Sequence, residues 1–157
     1  MTVITNTAGL VADASVAAAW FLQDEATAFT DSMLARAEAE GLVEPALWRF
    51  ELANVFLVCE RRGRVDQSAL AGMLALLGAM DVRVHAAASD IRLLHEYGKK
   101  HRLTAYDAAY LVTALQSGRP LATNDAALAA AARVEAVETL TEVDNGADGQ
   151  TPQAATP

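Results

Sequence analysis

Hydrophobic residues follow two rhythms along this chain. Short apolar-rich runs, Leu10-Val11-Ala12, Leu42-Val43, Val82-Arg83-Val84 and Pro120-Leu121-Ala122, are too brief for helices and read as strands. Between them lie longer stretches of helix formers. Ala14–Leu22 follows the first strand directly, and Thr27–Glu40 places Phe29, Met33, Leu34 and Ala37 at helical spacing before Gly41 stops it. Pro45 stands where the first residue of a helix accepts proline, which predicts a long helix over Ala46–Arg62, apolar on nearly every side and ended by Gly63. Gln67–Met80, an amphipathic Ser89–His101, Thr104–Gln116 before Gly118, and Asp125–Ala132 complete the helices, and a last edge strand falls within Val134–Leu140. Strands that alternate with helices imply a parallel sheet covered on both faces. The expected class is α/β, a three-layer sandwich with a short-stranded parallel sheet flanked by helices. The domain is expected over residues 1–143; from Asp144 to Pro157 no large apolar residue occurs, so residues 144–157 read as a disordered tail.

At 157 residues and 53% hydrophobic, the chain can bury one real core without staples. Its single cysteine, Cys59, excludes an internal disulfide and a cysteine-rich zinc site, and points to a reducing, cytoplasmic setting. No stretch reaches the roughly 20 apolar residues of a membrane span. Met1–Phe21 lacks Lys and Arg and carries Asp13 inside its apolar part, which does not fit a secretory signal. With 20 acidic against 12 basic residues the net charge is −8, which disfavours non-specific attachment to nucleic acid. A polyanionic substrate would need local help.

The common catalytic signatures are missing: there is no GxxxxGK, GxGxxG or GxSxG, and His85, His95 and His101 lack the spacing of a metal pair. What stands out is acid where apolar residues are expected. Asp13 ends an apolar strand, Glu51 sits among Trp48, Phe50, Leu52, Val55, Phe56 and Leu57, Asp107 lies in Tyr106-Asp107-Ala108-Ala109-Tyr110, and Asp125 follows Leu121-Ala122-Thr123-Asn124. Each has a structural reading too. Asp13 and Asp125 fit N-caps, Thr104 to Asp107 fits a capping box, and Glu51 with Asn54 and Val58 fits a solvated stripe. Taken together, however, a parallel sheet puts Asp13 and Asp125 at the carboxyl ends of strands, where such folds bind ligands, and two helices can bring Glu51 and Asp107 to the same cleft. Four carboxylates about 5 Å apart would repel by about 3 kcal/mol per pair at an effective dielectric near 20, so the cluster calls for a divalent cation. All-oxygen ligands select Mg²⁺ or Mn²⁺, whose characteristic chemistry is displacement at phosphorus. Ser15, Thr123 and Asn124 are small polar neighbours that could orient water or a phosphate, with turn and cap chemistry as the alternative.

These segments resemble the PIN-domain ribonucleases, specifically the VapC-type toxins of toxin–antitoxin pairs. The resemblance runs from about Leu10 to Leu140 and rests on Val11-Ala12-Asp13-Ala14-Ser15, on Pro45 followed by Glu51-Leu52-Ala53-Asn54-Val55, on Leu103-Thr104-Ala105-Tyr106-Asp107-Ala108-Ala109-Tyr110, and on Leu121-Ala122-Thr123-Asn124-Asp125. It implies that Asp13, Glu51, Asp107 and Asp125 form a catalytic, metal-binding quartet for Mg²⁺ or Mn²⁺ in an endoribonuclease. It also implies a homodimer and a cognate antitoxin whose C-terminal segment covers the cleft; an acidic toxin suits a basic peptide. Arg61, Arg62, Arg64, Lys99, Lys100 and Arg102 form two clusters at helix ends that either face the helix carbonyls or meet RNA phosphates. Trp20, Phe21, Trp48, Phe50 and Phe56 read as core or dimer interface rather than base-stacking groups. Two other readings compete. One is a non-catalytic acidic cleft for a basic partner peptide; the other, a phosphatase of the haloacid dehalogenase type, wants an acid two residues after the first Asp, where Ser15 stands.

Overall fold

Most helices begin where a side chain accepts an unpaired first-turn N–H. In the computed structural model, which describes residues 9–147, Asp13 precedes α1 (Ala14–Ala18), Thr27 precedes α2 (Ala28–Glu40), Asp66 precedes α4 (Gln67–Ala79), Asp90 precedes α5 (Ile91–His101), Thr104 precedes α6 (Ala105–Ser117) and Asp125 precedes α7 (Ala126–Val134). Helix α3 (Leu47–Arg61) starts behind Pro45-Ala46 with no side-chain cap, so Pro45 lies just outside it rather than in its first turn. The strands β1 (Val11–Ala12), β2 (Leu42–Glu44), β3 (Val82–Val84), β4 (Leu121–Ala122) and β5 (Thr139–Leu140) are short, and every pairing among them is parallel.

Strand β1 pairs with β4, and β4 with β5, while β2 pairs with β3; a single bridge from Leu10 to Leu42 joins the two groups. The order across the molecule is therefore β3-β2-β1-β4-β5. Sequence order runs outward on one side through β2 and β3 and then restarts on the other with β4, so the reversal falls between β1 and β4. Helix α6 crosses β1, β2 and β4, and α1 packs on α2 and α3. This is the expected α/β sandwich with a short parallel sheet flanked by helices.

The centre of the sheet supplies the core. Leu10, Val11, Leu42 and Leu121 are fully buried, joined by Val16, Trp48, Leu52, Leu111 and Leu128 from the helices. Phe21 meets Phe56 edge to face with ring centroids 5.2 Å apart. At roughly 1.5–3 kcal/mol per fully buried large side chain, this layer is the main favourable contribution to folding.

Three expectations change. Helix α1 ends at Ala18 instead of Leu22, because Trp20 and Phe21 donate to carbonyls three residues back and tighten the chain into turns; Phe21 and Leu22 remain buried, so their apolar signal reports burial and not helix. Helix α3 is not covered all round: Trp48, Leu52, Phe56 and Cys59 face inward, while Phe50 is 77% and Leu57 47% exposed. The residues Asp144–Ala147, expected in the tail, belong to a short α8 (Glu142–Ala147). Polar contacts anchor it: Asn124 Oδ1 accepts from the Glu142 N–H, Thr141 Oγ1 donates to Asp144 at 2.6 Å, and Arg133 pairs with Asp144 at 2.7 Å. A rule based on large apolar residues misses such anchors. The rest of the expected tail lies outside the described residues. Among the described residues no helix is long and apolar enough to cross a membrane.

Candidate active site

The carboxyl ends of β1 and β4 carry the first two acids of interest. Asp13 is buried, and its two oxygens do different work. Oδ1 caps α1, accepting from the Val16 N–H at 2.9 Å and from Ser15 Oγ at 2.7 Å. Oδ2 accepts a hydrogen bond from Thr123 Oγ1 across the β1–β4 seam. Thr123 is fully buried and also accepts from the Asp125 N–H at 3.0 Å. Asp125 itself is exposed and caps α7 through the Leu128 N–H at 2.7 Å. Capping does not use up either carboxylate, since each has lone pairs enough for a backbone donor and a second partner.

Helices α3 and α6 bring the other two. Glu51 is half-buried and accepts a hydrogen bond from the Tyr110 hydroxyl one turn along α6 from Asp107. Burial pushes the Glu51 carboxyl above its ordinary value; the bond from Tyr110 pulls it back, and the charges of Asp13 and Asp107 raise it again. Burial likewise raises the Tyr110 phenol, with the Glu51 hydrogen bond and the nearby carboxylates adding to it, so the hydroxyl stays a donor. Asp107 is held from behind by Thr104, whose Oγ1 donates to its Oδ2 at 2.7 Å and accepts from its N–H at 3.1 Å. That is the cap predicted for this pair, with the acid turned onto the Thr hydroxyl.

A fifth acid, passed over by the sequence reading, lies beneath these. Glu44 closes β2 and is fully buried; Oε1 accepts from the Ala12 N–H at 2.7 Å, and Oε2 is buried with no hydrogen-bond partner among the described residues. Burial drives its carboxyl well above the ordinary range, opposed by the Ala12 bond and reinforced by the charges of Asp13 and Glu51. The signal was available. Glu44 is an acid at the end of an apolar strand, as Asp13 is, and the strand runs one residue beyond the apolar pair Leu42-Val43 to include it.

Comparison with known proteins decides the family. The PIN domain profile matches residues 10–134. Ribonuclease VapC3 of Pyrobaculum aerophilum is 30% identical over 122 residues, which cover 76% of this chain and 92% of that protein. The chain belongs to the PIN-domain family. Among solved structures, that of PAE2754 from Pyrobaculum aerophilum superposes with a TM-score of 0.63 over 85% of each chain at 24% identity, which supports the fold.

Within this PIN domain, the charges of Asp13 and Asp107 bear on Glu51, and Asp125 is linked to Asp13 through Thr123. The close cage inferred at about 5 Å spacing is not what the side chains form. Among the described residues no three acids, histidines or cysteines surround a common point closely enough to hold an ion as they stand; each carboxylate is engaged by a local donor instead. Ser15 and Thr123 touch Asp13 as expected. Asn54 is exposed one turn beyond Glu51, and Asn124 turns to α8, bonding Glu142. The donor chemistry nonetheless suits a hard dication. It is all oxygen, Cys59 is buried on the inner face of α3, His101 is held by Glu135 at 2.6 Å, and a divalent charge would offset both the burial of Glu51 and the charges of Asp13 and Asp107 that bear on it.

Two basic clusters split by role. Arg64 bridges Asp24 and Glu25 at 2.7 and 2.9 Å, and Lys100 pairs with Glu135 at 2.6 Å. Arg61, Arg62, Lys99 and Arg102 are exposed, the last two at the corner leading into α6 and Asp107.

Proposed function

We propose that this PIN domain is a metal-dependent endoribonuclease, the toxin of a toxin–antitoxin pair acting in the cytoplasm, and that Asp13, Glu51, Asp107 and Asp125 hold its Mg²⁺ or Mn²⁺. The observation that carries this is geometric: at the strand-order reversal of a PIN fold, Thr123 joins Asp13 at the end of β1 to Asp125 after β4, and burial together with the charges of Asp13 and Asp107 raises the Glu51 carboxyl. The ribonuclease name of its relative supports RNA as substrate.

Asp13, Glu51, Asp107 and Asp125 would hold the cation, which would supply a lowered pKa for water and positive charge against the scissile phosphate. The chain's residues prepare the rest. Thr123 and Ser15 fix the Asp13 oxygens, Tyr110 orients Glu51, and Thr104 orients Asp107, so the carboxylates meet the cation with their rotamers already restrained. Lys99 and Arg102, at the α6 end of the cleft, would offset phosphate charge that the acidic surface otherwise repels. Water adds to phosphorus as the ribose 3′-oxygen departs with a proton, leaving 5′-phosphate and 3′-hydroxyl ends.

The antitoxin is expected to lay a basic segment over this acidic cleft. Self-association as a homodimer is supported by the exposed apolar side chains Phe50 and Leu57 on α3 and Leu74 and Leu76 on α4. The test is cleavage of total RNA by purified protein with Mg²⁺, Mn²⁺ or EDTA, with end mapping. Asp13→Asn and Asp107→Asn should each lower the rate by about 10²–10⁴-fold while circular dichroism and melting show an intact fold. Unchanged cleavage in either variant refutes the site, and tight peptide binding with no metal-dependent cleavage favours a non-catalytic acidic cleft.

A further inference from the structure

We propose that Glu44 is a positioning residue of this site: its side chain takes the place of the missing β1–β2 ladder bond and thereby sets the Val11–Ala12 peptide, the last one before Asp13, whose carboxylate would be presented to the cation. This rests on the metal-dependent reading above and deepens it.

The argument begins with the ladder. In a parallel pair, a residue on one strand donates to one neighbour residue and accepts from the next but one. Leu10 follows this rule, donating to Gly41 C=O at 3.1 Å and accepting from the Val43 N–H at 2.9 Å. Two residues on, Ala12 should donate to Val43 C=O and accept from the N–H of residue 45. Residue 45 is proline and has no N–H. The Ala12 C=O thus has no ladder donor from residue 45, and the Ala12 N–H goes to Glu44 Oε1 at 2.7 Å. β1 and β2 accordingly share only the Leu10–Leu42 bridge, while β1 runs on beside β4 through Asp13, whose N–H donates to Ala122 C=O at 3.0 Å.

A buried carboxyl is a costly choice for this duty, because an apolar side chain in a strand would carry no desolvation penalty. Here the cost is aggravated: Oε2 is sealed from solvent without a donor, and the charges of Asp13 and Glu51 bear on the same group. The arrangement therefore works against stability and sits directly behind the acid with most partners in the site, the pattern expected when a functional site retains strain that the rest of the fold offsets.

The experiment compares Glu44→Gln with Glu44→Met, two side chains of similar length of which Gln keeps an acceptor for the Ala12 N–H and Met does not. Three readouts are taken on the full chain: Mn²⁺ affinity of the metal-free protein by calorimetry, hydrogen exchange of the Ala12 amide, and melting temperature, with RNA cleavage alongside. The expected result is that both variants melt no lower than the parent, Gln keeps Ala12 protected and binds Mn²⁺ within about two-fold, and Met deprotects Ala12 and weakens Mn²⁺ binding at least ten-fold. Met binding Mn²⁺ like the parent overturns the proposal. So does loss of folding in both variants, which would make Glu44 a determinant of the fold alone. Asp107→Asn, run in parallel, separates the two claims: if it leaves cleavage intact the nuclease reading fails, whereas the Mn²⁺ and exchange data still judge Glu44.

Discussion

Strand β1 meets a parallel neighbour on each side, yet the two seams end differently. Towards β4 the main-chain ladder continues to Asp13, and side chains then extend it: Thr123 spans the seam to Asp13 and receives the Asp125 N–H. Towards β2 the ladder ends at Leu10 and Leu42, and a buried carboxyl intervenes. One seam ties two site acids together through a fully satisfied hydroxyl; the other holds a third acid with an unpaired oxygen. The difference teaches that the chemistry of this edge is set by how each ladder stops; towards β2, proline at residue 45 withholds the N–H that would continue it.

The largest effect short of removing a site acid should come from breaking the satisfied seam. Thr123→Val keeps the shape but removes both the donor to Asp13 and the acceptor for Asp125, leaving a buried carboxylate oxygen and an N–H unpaired. Urea unfolding should show a loss of about 1–3 kcal/mol, with RNA cleavage down by about ten-fold or more, since each orienting partner of a metal ligand is worth roughly 10–100-fold.

The unsatisfied seam should respond to pH. Burial raises the Glu44 and Glu51 carboxyls in the folded chain above the ordinary value of 4.5, so between that value and the raised ones the folded state binds more protons than the unfolded. Stability then falls as pH rises through this window and is greatest below it. Unfolding of the metal-free protein at several pH values above 4.5 should show this decline, and Glu44→Gln should flatten it; a slope unchanged by that substitution would remove Glu44 from the account.

The smallest effect belongs to Asn124, which stands between Thr123 and Asp125 but serves α8. Asn124→Ala should cost about 0.5–1 kcal/mol as a lost cap and leave the rate of RNA cleavage unchanged. A large loss of activity would mean that Asn124 reaches the site after all.

Much of the fold was legible because its signals are local. Gly41, Gly63 and Gly118 follow helices where they were expected, with positive φ at each, and the capping residues Asp13, Thr27, Thr104 and Asp125 stand one residue before helical turns. The failures were local signals with two meanings. Apolar Phe21 and Leu22 can be buried by a turn as well as by a helix, Phe50 can point out of an apolar helix, and Asp144 can sit in the first turn of a last helix as well as open a tail.

By itself the sequence determined the class of fold, the order of its elements and the acids that stand out of place in it. These follow from periodicity and capping, which act over three or four residues. Only the tertiary structure decided that Glu44 lies under Asp13, that Tyr110 holds Glu51, that Thr123 joins two aspartates and that Asn124 faces elsewhere. Those contacts depend on strand order and on where each ladder ends, and apart from the Thr123–Asp125 bond they join residues from 18 to 110 positions apart, a distance at which no local pattern carries information.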